Sequence, residues 1–272
     1  MGYLTTEKKK VTVKTFVEMK RDGNKIAMLT AYDYTTARLI DEAGVDCILV
    51  GDSASNVMQG NDSTLPITLD EMIVYARGVA RGCQRALVVC DMPFGTYQVS
   101  PEEGVRNAVR LIRETGVDAV KLEGGEEVAP TIERIVNAGI PVVGHLGLTP
   151  QSIHKFGGYG VRARSEVEAT KLIADAQALE KAGCFAVVLE KIPASVAQQV
   201  TDLLSVPTIG IGAGSHCDGQ VLVYADAMGL TQGFEPKFLR EFAAMGEELR
   251  RGVRAYCEAV KGDEFPNESE SY

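Results

Sequence analysis

Short apolar runs recur along the chain and alternate with segments in which apolar residues return every three or four positions. Runs of ~4 to 8 apolar, β-branched-rich residues are typical of buried parallel strands, and the segments between them have the period of amphipathic helices. The predicted strands cover residues 26–30, 47–50, 86–90, 119–122, 141–144, 185–189, 208–211 and 220–224. This alternation predicts an α/β protein, a closed (β/α)8 TIM barrel, with an open doubly wound sheet as the alternative.

Capping signals support the helices predicted between the strands. These helices cover residues 35–43, 68–80, 101–115, 128–138, 165–182 and 194–204. Thr68 with Glu71 forms a capping-box pattern, and Ser100 precedes Pro101 with Glu103 as its box partner. Several helices stop just before a glycine, as C-capping requires: Gly44, Gly116, Gly139 and Gly183.

Two further helices are predicted outside the eight repeats. One, over residues 11–21, is placed to close the barrel floor, and a long one over 236–260 follows the last strand. After the eighth predicted strand, residues 226–230 are an alternative start for another turn. A length of 272 residues is close to the ~250 of a TIM barrel and no linker divides the chain, so we expect one catalytic domain over 1–272 with a flexible tail at 262–272.

Composition excludes several classes of function. A net charge of −9 and a pI near 5.0 argue against a nucleic-acid partner, since such binding depends on clustered Lys and Arg. No apolar run approaches the ~18 residues of a membrane span. Residues 1–7 lack the basic-then-apolar order of a signal peptide, and the six cysteines are scattered without a CxxC pair. We therefore expect a cytoplasmic protein that acts on small molecules.

Charged residues stand where the predicted strands end. Asp52, Asp91 and Glu123 follow the second, third and fourth strands, and neighbouring parallel strands lie ~4.8 Å apart. Two carboxylates ~4 Å apart repel by about 4 kcal/mol at an effective dielectric of ~20, so three together call for a cation or a shared proton. Oxygen ligands favour a hard ion, Mg²⁺. The alternative is that each carboxylate caps a helix or pairs with a nearby Lys or Arg.

Three more polar residues are placed at the same mouth. Lys121, two residues before Glu123 and one layer deeper, is an electrostatic partner for an anionic substrate, a Schiff-base nucleophile or a neutralising partner of Glu123. His145 has glycines close on both sides, which suits approach by a ligand, or it is a buried structural histidine. Glu190 ends the sixth run, across the barrel from the three acids, as a general base or as a charge before a helix.

A glycine-rich segment, 210–214, follows the seventh run. Backbone N–H groups of such a loop can cradle an anion, and tight-turn packing is the alternative. The helix start and downstream acid of a dinucleotide fingerprint are not in place.

Taken together, these segments resemble the ketopantoate hydroxymethyltransferase family. The shared motifs are LTAYD at 29–33, VGDS at 50–53, DSTLP at 62–66, LDEM at 69–72, DMPFG at 91–95, VKLEG at 120–124, GHLGLTP at 144–150, LE at 189–190, GIGAG at 210–214 and DGQVLV at 218–223. The chain departs from the family pattern in the loop 157–164, at Lys191 and at Ala225, which bears on the folate contacts.

The resemblance implies a role for each residue singled out above. Asp52 and Asp91 match Mg²⁺ ligands, and Glu123 matches a third acid of the metal site that acts through water. Asp52 with Ser53, Asp91, Lys121 and His145 match the ketoacid-binding set, and Glu190 matches the proton acceptor.

The resemblance also implies an activity and an assembly. In the family, Mg²⁺ assists enolisation of 3-methyl-2-oxobutanoate, and the enolate takes a one-carbon unit from the co-substrate 5,10-methylenetetrahydrofolate to give 2-dehydropantoate, the first step of pantothenate synthesis. The implied assembly is a homodecamer, a pentamer of dimers. Rival functions are a Mg²⁺-dependent carbon–carbon lyase or phosphoenolpyruvate mutase, whose usual Lys-(Lys/Arg)-Cys-Gly-His loop is missing, and a barrel kept as a non-enzymatic binding module.

Overall fold

Eight parallel strands close into a barrel in the computed structural model, which describes residues 9–272. The strands are β1 Ile26–Thr30, β2 Cys47–Val50, β3 Leu87–Asp91, β4 Ala119–Glu123, β5 Val142–Gly147, β6 Ala186–Glu190, β7 Thr208–Ile211 and β8 Gly219–Leu222. They follow one another around the barrel in chain order, and β8 pairs with β1 to close it. The predicted TIM barrel is confirmed and the open sheet is wrong.

Helices connect successive strands through most of the barrel. They are α1 Val13–Arg21, α2 Tyr34–Glu42, α3 Ala54–Val57, α4 Leu69–Gly82, α5 Pro101–Thr115, α6 Ala129–Asn137, α7 Ile153–Phe156, α8 Glu166–Lys181 and α9 Ala194–Leu203. The six predicted helices are present within one or two residues, whereas the short α3 and α7 were not predicted.

The predicted helix caps are confirmed with one exception. Thr68 and Glu71 make the reciprocal capping box at the start of α4. Ser100 accepts a hydrogen bond from Glu103 N, but the Glu103 side chain does not return one, so its assignment as a box partner was wrong. Proline at the first helical position has no N–H and a preset φ, which already favours this helix start. All four predicted C-terminal glycines have positive φ.

The barrel floor is apolar and is closed from below by α1. Phe16 of α1 is 1% exposed and packs its ring edge-on against Phe185, with 5.8 Å between ring centroids. Around it lie the first inward side chains of the strands, such as Met28, Leu87 and Val221, which form one buried cluster with Phe16. The predicted helix at the barrel floor is confirmed.

Residues Val223–Tyr272 form a second compact unit. It contains α10 Tyr224–Ala227 and α11 Met245–Lys261, so the predicted helix over 236–260 begins nine residues too early. The reason is that the N–H groups of Phe242, Met245 and Gly246 donate to carbonyls of residues 227–229 instead of continuing a helix. The predicted strand over 220–224 likewise ends at Leu222, and α10 begins at Tyr224.

Other predictions about the ends of the chain stay open. Residues 1–8, where the signal-peptide prediction falls, lie outside the described residues. The tail 262–272 contains a 3₁₀ turn, Glu268–Glu270, capped by Asn267, and its flexibility remains a prediction, as does a single catalytic domain over 1–272. Within the described part of the chain, no helix combines the length and the apolar character that crossing a membrane would need. All six cysteines are free, and four of them are buried.

Candidate active site

The inward face of the barrel changes from apolar to charged between floor and mouth. Side chains two apart along a strand share a face, so the apolar Val89, Ala119, Val143 and Val188 of the floor cluster are followed inward by charged residues. Those residues are Asp91, Lys121, Glu123, His145 and Glu190. The strand register sets Asp91 beside Lys121 and Glu123 beside His145. The structure thus gathers at one mouth the polar residues predicted from the strand ends.

Asp52 and Asp91 are joined through the backbone just beyond β2. Asp52 N donates to Asp91 Oδ2 at 2.9 Å, and Lys121 Nζ lies 3.1 Å from Asp91 Oδ1. All three side chains are at most 4% exposed. Lys121 therefore forms an ion pair with Asp91. Burial acts to lower the pKa of its amine, but the charges of Asp91, Glu123 and Asp52 outweigh burial and raise it.

His145 lies between Glu123, a predicted metal-site acid, and Glu190, the predicted base. Its Nδ1 lies 3.3 Å from Glu123 Oε1 and 3.1 Å from Lys121 Nζ, and its Nε2 lies 3.2 Å from Glu190 Oε2. Burial and the charge of Lys121 act to lower the pKa of His145, but the two glutamates outweigh them and raise it to about 9. The raised pKa favours the imidazolium form, and each ring nitrogen lies beside one glutamate.

The buried carboxylates respond differently to their surroundings. Burial, followed by the charges of Asp91 and Glu123, raises the pKa of Asp52 well above its usual range. Burial also raises the pKa of Asp91 despite the nearby Lys121. Burial acts in the same direction on Glu123, but the hydrogen bond and charge of His145 outweigh it and lower the pKa of Glu123. Repulsion between the like charges of the carboxylates therefore acts mainly on Asp52 and Asp91.

The donor set fits a hard divalent cation, although it is not a closed cage. Four carboxylates face two cationic side chains, which leaves an excess of two negative charges when all are ionised. Asp91 Oδ1 and Glu123 Oε1 are buried without a well-directed hydrogen bond. Among residues 9–272, however, no three His, Cys, Asp or Glu side chains converge as a ready-made metal site. These features suit Mg²⁺, which keeps several waters and takes only one or two carboxylates.

Ser53 and the glycines of the site are placed by local packing. Ser53 Oγ lies 2.7 Å from Tyr32 OH, directly after Asp52 and just before α3. Gly147 has φ +92°, and a Cβ there would come within 2.2 Å of Glu190 O. Gly144 similarly faces Leu179. Both glycines therefore make room for neighbouring protein, and ligand approach beside His145 stays a prediction.

The glycine-rich segment after β7 also packs against protein. A Cβ on Gly214 would meet Ala194 of α9 at 2.5 Å, and one on Gly210 would meet Cys217 Sγ at 3.0 Å. Gly214 O accepts a hydrogen bond from Gln220. These contacts favour the tight-turn alternative for 210–214, and anion binding there remains a prediction.

Two residues of the site, Gln151 and Tyr97, were not predicted. Gln151 N donates to Glu123 Oε2 at 2.9 Å, and its side-chain amide donates to Asp52 Oδ2 at 2.9 Å. Tyr97 OH donates to Gln151 Oε1 at 2.7 Å. Both residues are uncharged and lie in loops, so neither interrupts an apolar run. The available signal was Pro150, which predicts a turn directly after β5 and so places Gln151 at the mouth.

Comparison with known proteins identifies the family. The sequence profile of ketopantoate hydroxymethyltransferase matches residues 10–268. Proteins named 3-methyl-2-oxobutanoate hydroxymethyltransferase from Parabacteroides distasonis and Flavobacterium johnsoniae are 60% and 59% identical to the chain. The first alignment covers 98% of the chain and 97% of that relative, and the second covers 97% of each.

A solved structure confirms the fold alone. A phosphoenolpyruvate phosphomutase from Streptomyces platensis subsp. rosaceus superposes with a TM-score of 0.59 at 16% identity, over 92% of this chain and 86% of that one. At that identity the likeness concerns the barrel and not its chemistry. The full-length match of the profile and of the sequence relatives, on the barrel and mouth described above, shows that the chain belongs to the ketopantoate hydroxymethyltransferase family.

Proposed function

We propose that the chain transfers a hydroxymethyl group from 5,10-methylenetetrahydrofolate to 3-methyl-2-oxobutanoate, giving 2-dehydropantoate and tetrahydrofolate in the first step of pantothenate synthesis. Family membership supports the choice of reaction. The observation that carries the proposal is the cluster of four carboxylates and two cations at the barrel mouth, in which every member but the partly exposed Glu190 is buried. Such a cluster suits a reaction in which a proton leaves carbon and negative charge develops on an adjacent oxygen.

The residues proposed to hold Mg²⁺ are Asp52 and Asp91, with Glu123 as a third acid acting through water. Asp52 and Asp91 have raised pKa values, caused first by burial, and a cation would relieve the repulsion between them. Glu123 accepts a hydrogen bond from Gln151 N at one oxygen and lies near His145 at the other, which suits an indirect role. When bound, the ion would supply positive charge that stabilises the enolate form of the ketoacid.

Lys121, His145 and Ser53 complete the proposed ketoacid site, together with Asp52 and Asp91. Lys121 and protonated His145 are the only two cationic side chains of the cluster described above, and both are buried. They would attract the substrate carboxylate and orient its keto group. Ser53, held by Tyr32, would donate or accept a hydrogen bond at the edge of the site.

Glu190 is the proposed base. Its side chain is 17% exposed, against 3% to 4% for His145 and Glu123, so it is the most accessible acid of the His145-linked group. It stands at the end of β6, opposite β2 in the ring of eight strands. Glu190 would accept the C3 proton of the ketoacid from the side away from the metal-site acids. Its contact with His145 Nε2 would keep the carboxylate oriented until that transfer.

Three parts of the proposal rest on the family alone. They are the folate co-substrate, a homodecamer built as a pentamer of dimers, and a cytoplasmic location. The departures at 157–164 and Lys191 make the folate contacts of this chain a separate question. In the structure, Lys191 Nζ donates to Tyr159 O at 2.6 Å, which ties the two departing segments together.

The test is hydrogen exchange at C3 of 3-methyl-2-oxobutanoate in deuterated water, followed by NMR with and without Mg²⁺. We expect exchange that depends on both the protein and Mg²⁺ and needs no folate. Folded protein that gives no Mg²⁺-dependent exchange would refute the enolisation mechanism. Adding 5,10-methylenetetrahydrofolate should then convert the ketoacid to 2-dehydropantoate, and exchange without this conversion would refute the folate part.

A further inference from the structure

We propose that Gln151 is a positioning residue that holds Asp52 and Glu123 in their places for metal binding, and that Tyr97 fixes the orientation of its amide. The inference rests on the proposed function. Gln151 is the first residue after Pro150 in a 3₁₀ turn, Pro150–Ser152, that follows β5, and it is 6% exposed. It contacts two of the three proposed metal-site acids, which come from different strands.

The two contacts use different parts of the residue. The main-chain N–H of Gln151 donates to Glu123 Oε2, while the side-chain Nε2 donates to Asp52 Oδ2 at 2.9 Å and to Met92 O at 3.0 Å. One residue therefore connects the end of β4 with the segment after β2 and the segment after β3. A substitution of the side chain removes the Asp52 contact and leaves the Glu123 contact in place.

The orientation of the amide follows from its partners. Asp52 Oδ2 and Met92 O both accept hydrogen bonds, so the group facing them must be the NH₂ of Gln151. On the other side, Tyr97 OH donates to Oε1 at 2.7 Å, with Gln98 Nε2 at 3.2 Å. Tyr97 is 1% exposed, and its hydroxyl also accepts from Glu123 N. The hydroxyl proton of Tyr97 has a second acceptor within reach, Glu123 O at 3.2 Å, but Oε1 of Gln151 is closer. Donation from Tyr97 to Oε1 therefore supports the amide orientation that Asp52 and Met92 require.

The amide contact matters because Asp52 has few other restraints. Repulsion from Asp91 and Glu123 acts to move the Asp52 carboxylate away from the cluster. The Gln151 side chain donates a hydrogen bond to the Asp52 carboxylate and adds no charge to the cluster. Neutral partners that orient metal ligands commonly change metal affinity by about 10- to 100-fold when removed.

The test compares Mn²⁺ binding to metal-free wild-type protein and to Gln151→Met, with free Mn²⁺ measured by electron paramagnetic resonance. Methionine has nearly the same length and no amide. We expect a Kd for Mn²⁺ about 10- to 100-fold weaker, and C3 exchange that recovers to within about threefold of wild type at saturating Mg²⁺, because Glu190 is untouched. The matched control is Gln98→Ala, which removes the exposed outer contact to the same amide oxygen and should change the Kd less than about twofold.

The outcomes separate this inference from the proposed function. Wild-type protein that binds no Mn²⁺ and gives no exchange would overturn both. Two other outcomes would overturn the inference alone, provided that wild-type protein binds Mn²⁺ and gives exchange. In the first, Gln151→Met binds Mn²⁺ within twofold of wild type. In the second, Gln151→Met loses C3 exchange and saturating Mg²⁺ does not restore it. If Gln151→Met does not fold, Tyr97→Phe serves in its place, because it keeps the ring and removes the hydroxyl that orients the amide. Tyr97→Phe should weaken Mn²⁺ binding at least threefold. A smaller change would overturn the inference.

Discussion

Buried or partly buried aspartates occur at both ends of the barrel, and they are stabilised very differently. At the floor, Asp41 accepts hydrogen bonds from three consecutive backbone N–H groups that lead into β3. Asp118 and Asp218 each accept one hydrogen bond from a backbone N–H of a strand and one from a lysine. At the mouth, the Asp91 side chain accepts from Asp52 N and pairs with Lys121, whereas the Asp52 side chain accepts from the neutral Gln151 amide. The pKa of Asp41 is lowered, since its backbone hydrogen bonds outweigh burial, whereas burial raises the pKa of Asp52 and of Asp91.

The difference shows which end of the barrel is optimised for stability. Floor carboxylates fix the starts of strands and are satisfied within the protein, next to an apolar cluster closed by α1. Mouth carboxylates are buried together without enough donors, an arrangement that costs stability unless a ligand completes it. In a TIM barrel the carboxyl ends of the strands carry the active site, and the opposite end carries stability. Changes at the mouth should therefore alter chemistry, and changes at the floor should alter folding.

The largest effect is expected from Glu190→Gln at the mouth. Glutamine keeps the size of the side chain but cannot accept the C3 proton, so exchange of 3-methyl-2-oxobutanoate should fall by about 10²- to 10⁴-fold. Ketoacid binding in the presence of Mg²⁺, measured by calorimetry, should survive, and so should the melting temperature. The exposed Glu133→Gln is the control. Exchange at the wild-type rate in Glu190→Gln would remove Glu190 from the mechanism.

At the floor, Phe16→Ala should give the reverse pattern. Phe16 is buried against Phe185, so its truncation should lower the free energy of unfolding by about 3 kcal/mol, measured by urea denaturation. The exchange rate per folded molecule should stay within about twofold of wild type. Val17→Ala, at a 42% exposed position on the same helix, is the matched control and should change stability by no more than about 0.5 kcal/mol. A large loss of exchange with unchanged stability would contradict the division between floor and mouth.

The sequence allowed most of the fold and the charged part of the site to be predicted, for a physical reason. Barrel strands are buried on both faces and read as apolar runs, so a charged residue such as Asp91 or Glu190 marks the strand end directly. The partners of those charges were not visible. Gln151 and Tyr97 are neutral loop residues whose position depends on how loops after β3 and β5 meet in space. The start of α11 was missed because Phe242 and Met245 form hydrogen bonds with residues 227 and 228, a contact that helical periodicity does not encode.

A smaller effect, with a distinctive pH dependence, is expected for Asp41→Asn at the floor. Asn keeps one acceptor for the three N–H groups, so stability at pH 7 should fall by about 2 kcal/mol. Because the folded pKa of Asp41 is lowered, its contribution is present above the unfolded value of about 3.9 and is lost as pH falls through the folded value. The difference between wild type and variant, from urea curves, should therefore shrink below about pH 4, while the exposed Asp202→Asn shows little change at either pH. A gap that stays constant with pH would contradict the charge argument.

The smallest change, and the sharpest test of the comparison, is Asp52→Asn in metal-free protein. The folded pKa of Asp52 is raised above its unfolded value, so ionised Asp52 destabilises the fold at neutral pH, and this cost disappears as pH falls towards about 4. Asn cannot ionise and can still accept the Gln151 hydrogen bond, so the variant should be more stable than wild type by about 1 kcal/mol at pH 8 in chelator, measured by urea denaturation. Added Mg²⁺ should reverse the ranking, because an ion that binds only the folded wild-type protein stabilises that protein alone. If Asp52→Asn is less stable than wild type in chelator, Asp52 supports the fold as the floor aspartates do, and the contrast between the two ends of the barrel fails at its central residue.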